Sequence, residues 1–205
     1  MAEKLQANKI GLFFGSFNPI HIGHLIIANF IVENTFLDQI WFVVSPLNPL
    51  KKAQDLLDNK IRLELVSLAI EKNNKFLACD VEFQLPQPSY TINTLNILTQ
   101  KYQDKEFTLI IGEDNLDCFE KWKDYQDILD KYRIYVYPRK DIFAKKYLDH
   151  KNVTKIDAPI IEISSSQIRE NIRNNKSILY LLPEKVREEI EKNNYYCNSK
   201  WILPY

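Results

Sequence analysis

Long apolar runs, an excess of one charge and paired cysteines are all missing from this chain, and each absence removes a class of protein. The longest apolar stretch, Leu25 to Val32, is interrupted by Asn29 and is far shorter than the roughly 20 residues that cross a bilayer. The N-terminal segment, Met1 to Lys9, is polar, and the apolar run after it is broken at once by Gly15-Ser16, which is not the build of a signal peptide. Lys plus Arg number 27 and so do Asp plus Glu, giving a formal charge of zero. That balance disfavours a broad nucleic-acid or membrane-binding surface while leaving room for a local basic pocket. The three cysteines, Cys79, Cys118 and Cys197, are far apart, form no C-x-x-C pair and are odd in number. Reduced thiols in a cytoplasmic setting are expected rather than a disulfide framework.

What the chain does have is alternation. Runs rich in Ile, Val and Phe alternate with stretches of helical period, the pattern of repeated βα units. Strands are expected near Ile10–Phe14, Ile40–Ser45, Phe76–Cys79, Thr108–Ile111, Arg133–Tyr137 and Val153–Ile156. Helices are expected at Leu25–Glu33, Asn59–Lys72, Thr91–Tyr102, Asp114–Phe119, Tyr125–Asp130, Ser165–Arg173 and Pro183–Asn193. Asp58 is placed to cap the second of these, and Pro183 suits the first turn of the last. The fold class is therefore α/β, a Rossmann-like parallel sheet with helices on both faces. One domain over residues 1–194, helical in its C-terminal part from about residue 165, is followed by an aromatic tail at 195–205.

In an open parallel sheet, ligands bind beyond the carboxyl ends of the strands. The first such segment, Gly15-Ser16-Phe17-Asn18-Pro19-Ile20-His21-Ile22-Gly23-His24, joins a strand-like run to a helix-like one. At that junction, backbone N–H groups without intrahelical partners and the positive end of the helix dipole can receive an anionic oxygen. Gly15 and Gly23 let the backbone turn sharply and a ligand approach closely. His21 and His24, three apart, share one side of a first helical turn and can both aim at that ligand. The other chemical reading of the pair is two metal ligands, but no third ligand stands at telling spacing. Four more post-strand segments are polar: Ser45 to Lys52 with Lys51 and Lys52, Glu82 with Pro88-Ser89-Tyr90-Thr91, Ile111 to Asn115, and Ile163-Ser164-Ser165-Ser166-Gln167-Ile168-Arg169. The last repeats the strand-to-helix exit, with Arg169 one turn in to hold phosphate oxygens bidentately; an ordinary serine N-cap is its simpler reading.

Gly15-Ser16-Phe17-Asn18-Pro19-x-His21-x-Gly23-His24 together with Ile163-Ser164-Ser165-Ser166-x-Ile168-Arg169 resembles the H-x-G-H and ISSTxIR signatures of the nucleotidyltransferase superfamily. Pro88-Ser89-Tyr90-Thr91 and Gly112-Glu113-Asp114-Asn115-Leu116, with Trp122 beyond, are similar to the bacterial nicotinate-nucleotide adenylyltransferases. This chain has Phe14, Asn18 and Ser166 where that family often has Gly, Asp and Thr, and Lys51-Lys52 replaces His-Lys or His-Arg. The resemblance implies transfer of AMP from ATP to nicotinate mononucleotide, with Mg²⁺ arriving on ATP and no protein metal site. It implies His21, His24 and Arg169 as catalytic residues. It implies an ATP site of Gly15, Ser16, Phe17, His21, His24, Gly112, Asp114, Ser164, Ser165, Ser166 and Arg169. Asn18, Lys51, Lys52, Tyr90, Thr91, Asp114 and Trp122 would bind the acceptor. Monomer and homo-oligomer stay open. Phosphopantetheine adenylyltransferase shares H-x-G-H but leaves Tyr90-Thr91 and Trp122 unexplained. A nucleotide sensor without catalysis would not need both histidines and Arg169.

Overall fold

The computed structural model describes residues 8–46, 56–142 and 146–197. Six strands, β1 (Lys9–Gly15), β2 (Gln39–Val44), β3 (Phe76–Cys79), β4 (Glu106–Gly112), β5 (Arg133–Tyr137) and β6 (Val153–Lys155), form one parallel sheet in the order β3-β2-β1-β4-β5-β6. Among the described residues seven α-helices accompany them: α1 (Ile22–Asn34), α2 (Asn59–Ile70), α3 (Thr91–Lys101), α4 (Glu113–Asp117), α5 (Tyr125–Lys131), α6 (Ser165–Arg173) and α7 (Glu184–Lys192).

The period-two alternation of the strands divides the interior into two cores. Phe13, Ile40, Phe42, Val44, Ile110, Tyr135 and Tyr137 point to one face, where Ile27 and Ile31 of α1, Leu65 of α2, Ile168 of α6 and Val186 and Ile190 of α7 cover them. Ile10, Leu12, Trp41, Val43, Leu109, Ile111, Ile134 and Val136 point to the other, under Ile92, Leu95 and Leu98 of α3, Leu116 of α4 and Ile128 of α5. Because the four central strands are covered on both sides, their sequences are nearly unbroken apolar runs. The Asp58 cap forms as the sequence implies, its Oδ1 accepting from the Lys60 N–H at 2.8 Å.

The strand order reverses between β1 and β4, which makes the crevice beyond Gly15 and Gly112 the switch point where such sheets take ligands. Lys51 and Lys52, and the tail from residue 198, lie outside the described residues. Of that tail, Tyr195 and Tyr196 pack against the first core. Among the described residues no helix is long and apolar enough to cross a membrane.

Candidate active site

A cavity of about 700 Å³ opens at the switch point, lined by segments that follow β1, β2, β3, β4, β5 and β6. Of the residues singled out from sequence, it gathers Gly15, Ser16, Phe17, Asn18, His21, His24, Tyr90, Thr91, Gly112, Asp114, Trp122, Ser164, Ser165, Ser166 and Arg169. Lys121, Lys123, Arg139 and Arg169 outnumber Glu82 and Asp114 among the lining charges, so a neutral chain carries a locally positive pocket.

His21 is the N-cap of α1, one residue outside the helix, and its imidazole stacks on that of His24 with centroids 3.7 Å apart and planes at 24°. The His21 N–H donates to His24 Nδ1 at 3.2 Å, so a neutral His24 carries its proton on Nε2. Phe17 meets the His24 ring edge-on at 5.1 Å. Phe17 is itself only 2 % exposed, so its side chain belongs to the core and only its backbone is available to a ligand. In the first turn of α1, Ile22 N–H donates to the Leu181 carbonyl, and His24 and Leu25 N–H both turn to the His21 carbonyl. That leaves the N–H of Gly23, a narrower anion site than a whole free turn.

The glycines serve by lacking bulk. None has positive φ; the left-handed residue in the loop is Phe17, at φ 43°. The sharp turn anticipated at Gly15 and Gly23 is thus a matter of close approach. A Cβ on Gly15 would lie 2.8 Å from the Phe17 ring, and one on Gly23 would lie 2.8 Å from Ile161 and 3.0 Å from His21 Nδ1. Gly112 makes room for Asp114 and for Arg139, whose Nε would be 3.0 Å from a Cβ there.

The late Ser-rich segment is bound to the first loop. Ser165 Oγ donates to the Pro19 carbonyl at 2.9 Å, and Arg169 donates through one terminal nitrogen to the Asn18 carbonyl at 2.8 Å and through the other to Ser166 Oγ at 3.3 Å. Ser164 Oγ accepts from the Gln167 N–H at 3.2 Å, so the simple N-cap reading holds for that residue. The Asn18 side-chain oxygen accepts from the Leu57 N–H at 3.2 Å and the Tyr196 hydroxyl at 2.8 Å.

Besides Lys121 and Lys123, Arg139 is a charged cavity residue that the sequence reading lacks. It follows β5, and the carboxyl-end rule applied to that strand finds it. Its guanidinium lies over the Tyr137 ring at 5.0 Å, donates to the Tyr137 hydroxyl at 3.0 Å and stands 3.4 Å from Asp114. Buried Glu113 fixes its backbone by accepting the Arg139 N–H at 3.2 Å, while Lys155 pairs that carboxylate at 2.7 Å. Tyr90 and Trp122 are half-buried on the opposite stretch of the lining, with Lys123 Nζ 4.9 Å from the Tyr90 ring centre and Trp122 leaning on Phe119. Behind Tyr90, buried Glu82 accepts the hydroxyls of Ser89 at 3.1 Å and Thr94 at 2.7 Å.

Buried polar atoms lacking a hydrogen-bond partner are few in folded proteins. Among the described residues they are His21 Nδ1, Arg139 Nε, Arg169 Nε and Glu113 Oε1, the last beside Lys155. The other three belong to residues lining this one cavity. No three His, Cys, Asp or Glu side chains among the described residues are grouped to hold a metal ion.

Burial, and second the Arg139 charge, push the His21 imidazole down from 6.5 to about 4. The neutral ring is native, whereas in the unfolded chain it takes a proton near pH 6.5. The unfolded state thus binds more protons between these values, and stability present above pH 6.5 drains away as pH falls toward 4. Between pH 7 and pH 4.5 this residue costs about 2–3 kcal/mol. Urea unfolding at the two pH values checks it: His21→Gln should lose that much less stability than the parent, and equal losses would refute the assignment.

The cytidylyltransferase-like family matches residues 12–171. A protein of Flavobacterium psychrophilum described as a "Probable nicotinate-nucleotide adenylyltransferase" is 55 % identical over 190 residues, covering 92 % of this chain and 98 % of the relative. One of Bacteroides fragilis with the same description is 48 % identical over 186 residues, covering 91 % and 92 %. The solved nicotinic acid mononucleotide adenylyltransferase of Plasmodium falciparum, complexed with NaAD, superposes with a TM-score of 0.78 over 92 % of this chain and 97 % of that one. At 18 % identity it speaks for the fold. With the family pattern spanning most of its length and relatives this similar matching nearly end to end, the chain belongs to the nicotinate-nucleotide adenylyltransferases of the cytidylyltransferase-like group.

Proposed function

We propose that the chain transfers the AMP group of ATP to nicotinate mononucleotide, releasing pyrophosphate and forming deamido-NAD. The observation that carries this reading is the trio of unpartnered buried nitrogens, on His21, Arg139 and Arg169, around one positive cavity. Arg139 Nε already has Asp114 Oδ1 3.4 Å away, whereas Arg169 Nε, and His21 Nδ1 when it carries the ring proton, would each be satisfied by an anionic oxygen.

A phosphate oxygen of the mononucleotide attacks the α-phosphorus of ATP in line, and the bond from that phosphorus to the oxygen bridging to the β-phosphate breaks. The electron pair leaves on pyrophosphate, so no protein nucleophile is needed and catalysis is placement plus charge stabilisation. His24, with its proton on Nε2, donates to an oxygen of the reacting phosphate, and His21 Nδ1 and the Gly23 N–H sit alongside. Arg169 and the start of α6 neutralise the departing β- and γ-phosphates. The Ser165 hydroxyl proton is engaged by the Pro19 carbonyl of the first loop, while Ser164 Oγ caps the helix as an acceptor and keeps its own proton to donate to a phosphate oxygen. Mg²⁺ held by the phosphate oxygens of ATP supplies further charge neutralisation, in keeping with its preference for phosphate and water ligands. Gly15, Ser16 and Phe17 offer backbone contacts to the nucleotide beside Gly112, and Asp114 accepts from a ribose hydroxyl.

Tyr90, Thr91 and Trp122 receive the pyridine ring, with aromatic stacking for orientation. Lys123 beside Tyr90 adds a cation at that end of the cavity, which favours the nicotinate carboxylate over the neutral amide. Lys51 or Lys52 is assigned to the acceptor phosphate. The test is pyrophosphate release with ATP and, in turn, nicotinate mononucleotide, nicotinamide mononucleotide and 4′-phosphopantetheine. The acid should give a kcat/KM at least about tenfold above either rival, a difference of about 1.4 kcal/mol. Comparable or faster turnover of phosphopantetheine would overturn the reading.

A further inference from the structure

Tyr196, near the start of the aromatic tail, reaches the first loop. Tyr196 packs on the first core and donates its hydroxyl to Asn18 Oδ1 at 2.8 Å, the oxygen that also holds the Leu57 N–H. Asn18 is 6 % exposed, and its main-chain carbonyl is the acceptor that Arg169 grips at 2.8 Å. The next carbonyl, that of Pro19, takes the Ser165 hydroxyl. One residue of the first loop thus connects the tail to the guanidinium assigned to the triphosphate. Tyr196 also sits at φ 67°, a left-handed conformation that a bulky residue keeps only where its surroundings enforce it.

We propose that Tyr196 is a positioning residue for ATP: its hydroxyl fixes Asn18, and Asn18 fixes Arg169 at the cavity wall. The inference rests on the assignment of Arg169 to ATP phosphates. Burial keeps the phenol protonated far above its ordinary range against the opposing pull of Arg169 and Arg62, so it donates at every working pH. Without that donor the Asn18 oxygen keeps the Leu57 N–H but loses the Tyr196 hydroxyl, and the acceptor that Arg169 grips is held less firmly.

The experiment is calorimetric titration of ATP with Mg²⁺, without acceptor, into the parent, Tyr196→Phe, Asn18→Ala and the double variant. Tyr196→Phe should weaken ATP by about fivefold, the worth of one hydrogen bond, and the double variant should bind within about twofold of Asn18→Ala. In Tyr196→Phe the KM for nicotinate mononucleotide should rise less than ATP affinity falls, because Tyr90, Thr91 and Trp122 receive its ring whether or not Asn18 is held. Penalties that multiply in the double variant overturn the proposal. So does ATP affinity of Tyr196→Phe within about twofold of the parent, or an equal weakening of the acceptor, and these two outcomes decide even if Asn18→Ala does not fold. Since ATP binding is read without acceptor, a parent that binds ATP yet fails to turn over the mononucleotide strikes only the functional reading.

Discussion

Replacing His24 by Ala should lower kcat for pyrophosphate release by about 10²–10³-fold, the usual cost of removing one donor aimed at developing charge. The size follows from how firmly that donor is set. Its Nδ1 is occupied by the His21 N–H, one face is stacked on His21, and the Phe17 ring abuts it edge-on. Such a preorganised N–H needs no reorganisation when charge moves from the α-phosphate toward pyrophosphate. Because the interaction grows in the transition state, ATP affinity should change by less than about tenfold while kcat and kcat/KM fall together. His24 is partly exposed at the cavity wall, so the variant should keep the parent's circular dichroism and most of its stability. Steady-state kinetics decide the matter: a kcat within a few-fold of the parent would remove His24 from the mechanism.

The largest effect on stability should come from Arg62→Met. Arg62 is wholly buried and gives five hydrogen bonds of 2.5 to 3.2 Å, to the carbonyls of Leu57, Ser16, Ser45 and Pro46 and to Asn59 Oδ1. Burial pulls its pKa below the ordinary arginine value against the opposing pull of Tyr196 and Asp58, and its N–H groups meet carbonyl oxygens and an amide rather than a touching carboxylate. The guanidinium therefore pins the exits of β1 and β2 to the start of α2. Met fills much of the same volume but leaves the acceptors without a donor, at a cost of about 3–5 kcal/mol. For a chain of 205 residues that is a drop in Tm of about 10 °C. Arg62→Lys should recover only part of it, since one ammonium cannot span the same acceptors. Urea unfolding at pH 7 measures both, and a loss under about 1 kcal/mol for Arg62→Met would contradict this account.

Much of the architecture was legible in the chain because buried parallel strands announce themselves as apolar runs: β3 and β5 fall on the residues anticipated, and β1, β2 and β4 differ by a residue or two at their ends. β6 ends one residue early, at Lys155; it is an edge strand with Thr154 and Lys155 exposed, so no second neighbour extends its pairing. Helix α1 starts at Ile22, three residues before the apolar pattern suggests. Its cap is a histidine, which gives none of the usual Ser, Thr, Asp or Asn signal. In the site, the sequence located the loops but not which way each side chain turns. Phe17 turns into the core, the Asn18 oxygen toward Tyr196, and Arg62 becomes a buried brace. Arg139 has no neighbouring motif; only its place after β5 marks it.

The two bonds that tie the late serine-arginine segment to the first loop span 146 and 151 residues of chain. Such distant contacts form late in folding, after the loop-closure entropy between them has been overcome. A polypeptide still emerging from the ribosome, short of α6, has its first loop but neither Ser165 nor Arg169 to hold it. Competence for nucleotide thus arrives with α6, after the last strand of the sheet, and ATP, bound only by the finished fold, in turn holds that fold together.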